Sequence, residues 1–484
     1  MVQRESRKDQ QRGRKGQQRG LQRNLSVWAA LGLSVALLGP SMAVNINPQA
    51  PAGKVGPAVP LVFVLSMVGV LLVAHAFARL SQHIANAGSV YGFIGATIGP
   101  RSGFVGGWLL LGTYVAFAMC TASGAALFFG DFLKTALNFD IRWEFVIIPV
   151  LLVVGFLALR PARAATKVLL VVEFVTIGLI LTVAIVVFAK VIGGSGPASG
   201  AHVSALFTLP DGVGGSALFA AMIFGFLSFA GFEAASTLGE ETRNPKRDIP
   251  VAIVGTVIVA GIFFAVVTSA EVLGFGTGPD GTAAFTASPS LVGDLASRYL
   301  GGPVGDLVTL GAAFSAFGSS IACTVGASRL LFAMGRDGFI TEKLGSADKS
   351  GVPRVAVGSI LAVVVLALVA MRLFATSAVV DVFFWTATIG ALLLLVAYLL
   401  CLAGASAFIG RRRSGSISRA EIAIPIAGIA VVGYVLYRNV WPVPDPPYNT
   451  FPYLVAAWLA IGVALVVATP GLAQRIGARL SAER

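Results

Sequence analysis

The sequence predicts an all-α, polytopic membrane protein with about twelve transmembrane helices. Three observations support this fold class: 56% of the 484 residues are hydrophobic, only 12% are charged, and long apolar runs recur along the chain. A soluble chain would carry about a quarter charged residues. The mean hydropathy of +0.85 points the same way. We therefore expect most of the chain to cross a lipid bilayer repeatedly.

Twelve apolar runs are long enough to span, since a spanning helix needs about 20 mostly apolar residues. We number these predicted spans 1 to 12 and place them at roughly 25–50, 57–79, 99–133, 143–160, 165–190, 215–239, 250–275, 303–334, 354–373, 378–403, 420–440 and 451–469. The third and eighth are longer than a bilayer requires, so we expect them to tilt or to extend beyond it.

The basic residues are distributed very unevenly between the two sides of these spans. With the N-terminus in the cytoplasm, 28 of the 35 Lys and Arg fall on the cytoplasmic side and 7 on the other. This asymmetry matches the positive-inside rule and predicts a protein of the cytoplasmic (cell) membrane with both termini in the cytoplasm. It also explains the net charge of +13 without a nucleic-acid partner.

The chain divides into a membrane domain and two tails. Residues 1–24 are rich in Gln, Arg and Lys, which predicts a disordered basic cytoplasmic tail, either solvated or held near anionic lipid headgroups. Residues 25–470 form the predicted membrane domain, and residues 471–484 form a second cytoplasmic tail.

Several classes of protein lack support in the sequence. There are 3 His and 3 Cys, without an HExxH or CxxC motif, and each Cys lies inside an apolar run. A nucleotide-binding loop of the Gly-Lys-Ser/Thr type is also missing. We therefore expect no enzyme, no metal site and no cofactor, and any transport would use an ion gradient or exchange.

Two of the predicted spans are interrupted at matching places. Span 1 is broken near its middle by Gly39-Pro40-Ser41, where Pro40 lacks an N–H and disfavours a helical Gly39. Span 6 is broken at Phe229–Glu233. Spans 1 and 6 begin two sets of five helices, with repeat one at about 25–190 and repeat two at about 215–403, followed by extra helices at about 420–469. Such a pair predicts an inverted-repeat transporter with a midplane site.

The two breaks also predict what could bind there. Non-helical backbone at membrane depth is tolerated only where it lines a cavity or is buried in protein. The outer half of span 1 would offer the N–H groups of residues 41–43 to a carboxylate. The outer half of span 6 would offer carbonyl groups near Phe229 and Ala230 to an ammonium group. Together they predict a zwitterion, such as an α-amino acid. Glycines that only pack helices explain either break alone better than a site does, but two breaks at corresponding positions, one beside Glu233, favour a site.

Two motifs resemble a known family. The stretch GFEAASTLGEETRNPKRDIP, residues 231–250, resembles the sixth helix and following loop of amino acid permeases of the amino acid–polyamine–organocation (APC) superfamily. The stretch SRLLFAMGRDGFITEKL, residues 328–344, resembles the end of their eighth helix. The resemblance extends over about residues 25 to 470. It implies a five-plus-five inverted-repeat (LeuT-like) core with two additional helices, and uptake or exchange of amino acids or related amines.

The resemblance also implies a set of substrate-binding residues. The family's first-helix loop usually reads Gly-Ser-Gly, whereas this chain has Gly-Pro-Ser-Met, which removes one N–H donor and narrows the pocket at Met42. The sixth-helix segment matches the family well. The candidate substrate-binding residues are Gly39, Pro40, Ser41, Met42, Phe229, Ala230, Gly231 and Phe232.

Three of the acidic residues in the predicted spans are candidates for a function, because an ionisable group inside the membrane suggests one. The resemblance implies that Glu233 links the cavity to an inner gate, as a gate residue or as a proton carrier. Glu173 in span 5 stands where some proton-coupled relatives have a lysine facing span 1, so it is either a protonatable switch or a hydrogen-bonded structural acid. Glu271 lies near the outer end of span 7, where we expect solvation at the interface.

The resulting expectation is a secondary active transporter that moves amino acids by alternating access, with proton-coupled symport. Its expected partners are a small-molecule substrate, protons and the lipid bilayer. Sodium is less favoured because it needs oxygen ligands from spans 1 and 8. The alternatives are a polyamine, ethanolamine or organic-cation permease, an amino acid exchanger, or a channel or sensor without transport. The particular substrate, the coupling ion and the oligomeric state stay open.

Overall fold

The computed structural model describes most of the membrane domain. The described residues are 27, 31–32, 34–35, 38–84, 90–160, 163–194, 202–233, 244–336, 338, 341–348, 351–411 and 418–468, with the side chains of 163–166, 245, 342 and 419 left out. The two predicted tails and most of the first half of span 1 lie outside this set, so the predictions for them stay predictions.

Within that set, every regular element is helical, and sixteen α-helices follow one another along the chain. They are α1 (Pro40–Ile46), α2 (Gln49–Val55), α3 (Val59–His83), α4 (Val90–Thr97), α5 (Pro100–Leu137), α6 (Trp143–Ala158), α7 (Arg163–Ile192), α8 (Gly215–Ser228), α9 (Pro245–Phe275), α10 (Pro279–Ala287), α11 (Leu291–Tyr299), α12 (Gly302–Arg336), α13 (Arg354–Phe374), α14 (Val379–Arg411), α15 (Ala423–Arg438) and α16 (Phe451–Ala468).

Nine helical segments in the described part of the chain are long and apolar enough to cross a membrane, and α6 and α8 are shorter apolar helices. The protein is therefore a multi-pass, all-helical membrane protein. The long third and eighth spans appear as α5 and α12, of 38 and 35 residues. At 1.5 Å per residue each helix is roughly 50 Å long or more, which exceeds the thickness of the hydrocarbon core, about 30 Å. The count of twelve spans stays a prediction.

The centre of the molecule is built around α5, which packs against α12 and α14, while α3 packs along α9. In the most apolar stretch of α5, 78% is buried inside the protein, against 22% in each of α13, α15 and α16. The large apolar side chains that α13 exposes therefore face outward, where lipid would surround them. The central helices have more small and polar residues because their partners are other helices.

A tryptophan pair attaches the last helix to the central one. The indoles of Trp108 in α5 and Trp458 in α16 stack with ring centroids 4.5 Å apart. Each indole N–H donates to the other residue's backbone carbonyl, at 2.8 and 2.9 Å. Both polar N–H groups are thereby satisfied away from water, which buried indoles require.

The segment between α9 and α12 folds back over the C-terminal end of α9, which the predicted orientation places on the outer side. Its two short helices, α10 and α11, both pack on α9, and α11 also contacts α1, α7 and α12. The hydroxyl of Tyr299 donates to the carbonyl of Gly274 at 3.2 Å, which fixes the end of α11 to the end of α9. We call this segment, residues 279–299, the outer cover.

Candidate functional site

The first helix break lies at Gly39, as the sequence predicts. Gly39 has φ 62° and ψ 50°, a left-handed conformation that glycine adopts without strain, and α1 begins at the next residue with Pro40 in its first turn. A Cβ at Gly39 would collide with the hydroxyl of Ser319 in α12. The break therefore brings the backbone of span 1 into close contact with span 8.

The second break follows Ser228, the last residue of α8. The chain turns through Gly231, with φ 109°, and residues 234–243 lie outside the described part. One carboxylate oxygen of Glu233 accepts hydrogen bonds from the Gly231 N–H at 3.1 Å and from the Tyr398 hydroxyl at 3.3 Å. Glu233 thus folds back on the turn beside it and connects this turn to α14.

A direct hydrogen bond joins the two broken helices. The Asn47 side chain, just after α1, donates to the Ser228 hydroxyl at 2.8 Å, and that hydroxyl donates to the Phe224 carbonyl. All three residues are buried, and Asn47 and Ser228 also face a shared cavity. The two breaks therefore meet at one place, inside the protein.

That cavity has a volume of about 50 Å³ and is lined by residues from both breaks. Met42 and Ala43 come from the first break, and Leu227 and Ala230 from the second. The central helices complete the wall with Phe117, Cys120, Thr121, Ser319, Cys323 and Phe383. Its described lining contains hydroxyl, thiol, amide and apolar groups and no Asp, Glu, Lys or Arg. At this volume the cavity has room for about one or two water molecules, so it must widen to hold a substrate. Its described lining provides no charge that would pair with a substrate side chain.

The predicted binding residues divide into three groups. Met42 and Ala230 line the cavity, whereas Gly39, Pro40, Ser41 and Gly231 shape the backbone at the two breaks. Phe229 and Phe232 are fully buried elsewhere. The ring of Phe229 packs on Phe264 and that of Phe232 on Phe77 and Tyr398. In this conformation both phenylalanines belong to the packing behind the cavity, and a substrate contact for them stays a prediction.

The N–H groups at the start of α1 already have partners in this conformation. The Ser41 N–H donates to a carboxylate oxygen of Glu173 at 3.0 Å, and the Met42 N–H donates to the Ser315 hydroxyl at 3.2 Å. The Ala43 N–H donates to the Gly39 carbonyl at 2.9 Å. A carboxylate from α7 therefore occupies the position that the sequence predicts for a substrate carboxylate.

Asn45 connects α1 to the outer cover. Its side-chain oxygen accepts from the Ser290 hydroxyl at 2.9 Å and from the backbone N–H groups of Val292 and Gly293 at 3.0 and 3.3 Å. Its side-chain nitrogen donates to the Ser41 carbonyl at 2.8 Å. One fully buried amide thus satisfies groups on both segments and joins the outer cover to the first break.

The three acids inside the spans have very different surroundings. Glu173 and Glu233, 4% and 6% exposed, both accept backbone hydrogen bonds. Glu271 is only 1% exposed, and neither of its oxygens has a hydrogen-bond partner among the described residues. The expectation of a solvated Glu271 was wrong, because the residue is 1% exposed. The end of α9, in which it lies, packs against the outer cover through Gly274 and Phe275.

Sequence reasoning missed much of the wall of the cavity and the residues that hold it. Ser315 and Ser319 lie four residues apart on one face of α12, a spacing that could have indicated a polar face toward span 1. Asn45 and Asn47, next to the first break, are polar residues in an apolar span and could also have been found. Within the described residues, His, Cys, Asp and Glu form no group of three or more that could hold a metal.

The fold and the paired breaks around one cavity define a multi-pass membrane transporter, not an enzyme. Residues 38–472 match the family described as "Amino acid permease", and the chain belongs to this family. The resemblance seen in the two sequence motifs is thereby confirmed.

Curated relatives agree with this assignment. The branched-chain amino acid permease BcaP of Bacillus subtilis (strain 168) is 26% identical over 339 residues, covering 66% of this chain and 67% of the relative. The low-affinity putrescine importer PlaP of Escherichia coli (strain K12) is 28% identical over 291 residues, covering 58% of this chain and 60% of the relative. The chloroplastic cationic amino acid transporter 6 of Arabidopsis thaliana is 26% identical over 264 residues, covering 50% and 43%.

Proposed function

We propose that the protein is a secondary active transporter that moves amino acids with uncharged side chains across the cell membrane by alternating access. The observation that supports this most strongly is the single cavity formed by both helix breaks, with Met42 on one side and Ala230 on the other. Backbone groups freed by such breaks suit the charged ends of an amino acid. The five-plus-five repeat with two additional helices is the frame we propose for the movement.

The character of the lining supports the choice of substrate class. Its described residues bear no charged side chain that would pair with a cationic or acidic side chain of a substrate, and burying such a charge without a partner is unfavourable. The branched-chain permease among the relatives fits this proposal better than the putrescine importer does. Since Phe117, Phe383 and Met42 restrict the cavity, we propose small or medium apolar side chains.

The position of Glu173 supports a second candidate. Because its carboxylate already binds the Ser41 N–H, a substrate without a carboxylate would need no rearrangement there. An amine or organic cation would then use Glu173 as its counter-ion. We favour the amino acid, because Glu173 is outside the lining of the cavity. In this proposal the substrate carboxylate replaces Glu173 as the acceptor of the Ser41 N–H.

We further propose that transport is proton-coupled symport and that both termini lie in the cytoplasm. Two of the carboxyl groups buried in the described spans, those of Glu173 and Glu233, are sites where a proton could bind during transport. The excess of basic residues on one side of the spans supports the orientation.

Uptake into proteoliposomes tests this proposal. Purified protein is assayed with a panel of labelled neutral, cationic and acidic amino acids and with putrescine, with and without an inward proton gradient. Saturable uptake of neutral amino acids that the gradient stimulates is the expected result. Uptake only into vesicles preloaded with amino acid would identify an exchanger. Uptake of putrescine alone would indicate that the substrate is an amine and not an amino acid. If no compound of the panel is taken up, the proposal is contradicted.

A further inference from the structure

Glu271 is a buried acid that takes no part in the proposed transport site. It lies on α9, four residues before the helix ends at Phe275, and it is 1% exposed. Both of its carboxyl oxygens lack a hydrogen-bond partner among the described residues. The nearby hydroxyls of Thr268 and Ser269 on the same helix donate to the carbonyls of the preceding turn.

This environment differs from that of the other two intramembrane acids. Glu173 accepts a backbone N–H from Ser41, and Glu233 accepts one from Gly231 and a hydroxyl from Tyr398. Hydrogen bonds of this kind stabilise an ionised carboxylate. A carboxylate with no donor, taken out of water, is strongly unfavourable, and such a group neutralises instead. In this conformation Glu271 is therefore compatible only with the neutral, protonated form.

Charged groups on the helices that pack on α9 have other partners. On α7, Lys190 donates to the Tyr299 carbonyl at 2.9 Å. On α11, Asp294 accepts from the Ser288 hydroxyl, and the Arg298 guanidinium lies 4.5 Å from the centre of the Phe275 ring. These groups belong to the outer cover or bind to it.

The remaining titratable groups on these helices lie elsewhere. On α10, Asp280 is exposed. On α3, the titratable groups lie in the C-terminal half, at His75, Arg79 and His83. Arg79 pairs with Glu421. The short helix α1 and the turn Val203–Leu206, which also contact α9, contain no ionisable side chain. None of these ionisable groups forms a hydrogen bond with Glu271.

The location of Glu271 indicates when a proton could reach it. The outer cover, residues 279–299, packs on the helix face that carries Glu271. Leu295 lies against Gly274 and Phe285 against Phe275, the residues three and four positions after Glu271. The outer cover is also joined to α1 through Asn45. If the outer cover moves away from α9, water reaches Glu271 and its carboxyl can exchange a proton with the outside. If the outer cover returns while Glu271 is ionised, an unpaired charge is buried, which opposes closure.

We propose that Glu271 is a proton-binding site loaded from the outside, and that its protonation is required for the outer cover to close. One external proton binds one carboxylate oxygen of Glu271, and the neutral carboxyl is then buried beneath the outer cover. This inference rests on the proposed function insofar as it uses alternating access, and it assigns a role in closure that Glu173 and Glu233 do not have.

The test compares wild type with Glu271→Gln, which mimics the neutral acid in size and charge. Uptake is measured in proteoliposomes over external pH from about 5 to about 9, a range that includes the values reached by buried carboxyls. Wild-type uptake is expected to fall by up to about tenfold per pH unit above the apparent pKa at which protonation of Glu271 is coupled to closure. The variant is expected to show no such fall. A matched control, Asp140→Asn, removes an exposed outer carboxylate whose side chain is 81% exposed and should retain the wild-type profile.

A second measurement does not depend on the substrate. Hydrogen exchange, detected by mass spectrometry, reports the protection of residues 279–299 at low and high pH after correction for the intrinsic exchange rate. In the wild type this protection should decrease at high pH, whereas in Glu271→Gln it should persist. If the protection in wild type does not change with pH, or if Glu271→Gln changes as wild type does, the inference is overturned. Failure of the proposed function would appear separately, as absence of amino acid uptake in the wild type.

Discussion

The left-handed conformation of Gly39 can be tested by the substitution Gly39→Ala. An L-residue at φ 62° costs about 1–2 kcal/mol relative to glycine. The new Cβ would also collide with the Ser319 hydroxyl, and overpacking of this kind costs typically about 1–3 kcal/mol. The combined penalty is about 2–5 kcal/mol. Even at the lower end it would reduce the population with an intact break by about 30-fold, since each 1.4 kcal/mol or so is tenfold.

The assay is the initial rate of uptake in proteoliposomes, combined with thermal stability in detergent. The control Gly53→Ala should change neither quantity, because Gly53 has no positive φ and its Cβ would meet open space. The double variant Gly39→Ala with Ser319→Gly removes the collision and retains the backbone strain. It should therefore recover part of the lost activity. The recovery is incomplete also because a glycine within α12 lowers the stability of that helix by about 1 kcal/mol.

One result would refute this reasoning about Gly39. If Gly39→Ala transports at a rate close to wild type with an unchanged apparent affinity, the left-handed break is not needed for function. If the double variant is no better than the single one, the collision with Ser319 is not the source of the loss.

Substitutions at three further positions test other parts of the site. Met42→Ala should enlarge the cavity and improve the specificity for a longer apolar side chain by about tenfold or more, measured as the ratio of kcat/KM between two substrates; an unchanged ratio would remove Met42 from the site. Gly390→Ala should push the Phe117 ring into the cavity and selectively weaken uptake of the larger substrate. Asn45→Ala leaves buried donors unpaired, at about 1–3 kcal/mol each, and should lower both thermal stability and uptake. If Asn45→Ala leaves both quantities unchanged, these hydrogen bonds contribute little.

The helical architecture was predictable because it depends on local properties of the chain. A bilayer requires long apolar helices, and the apolar runs such as 354–373 and 451–469 correspond closely to α13 and α16. The two breaks were also predictable, since Pro40 and Gly231 act on the conformation of their own backbone. The number of twelve spans and the five-plus-five repeat are still predictions from the sequence pattern.

The partners of the breaks were not predictable from local sequence. The pairing of Ser41 with Glu173 joins residues 132 positions apart, and the contact of Asn47 with Ser228 spans 181 positions. Such contacts depend on which helix faces fit together. The error at Glu271 has the same origin, because solvation was expected from its position near the end of span 7. The segment after α9 instead forms α10 and α11, which pack on the end of that helix.

Substrate protection of cysteines placed at the two breaks tests most directly whether both breaks form one transport site. The three native cysteines are replaced by serine, and single cysteines are introduced by Ala43→Cys and Ala230→Cys, two positions that line the cavity from opposite breaks. Variants that retain transport are treated with a small thiol reagent, and Gly53→Cys provides an exposed control. A transported amino acid should slow modification at both cavity positions with the same concentration dependence and leave the control unchanged. Protection at only one position, or at neither in a transporting variant, would contradict a shared site.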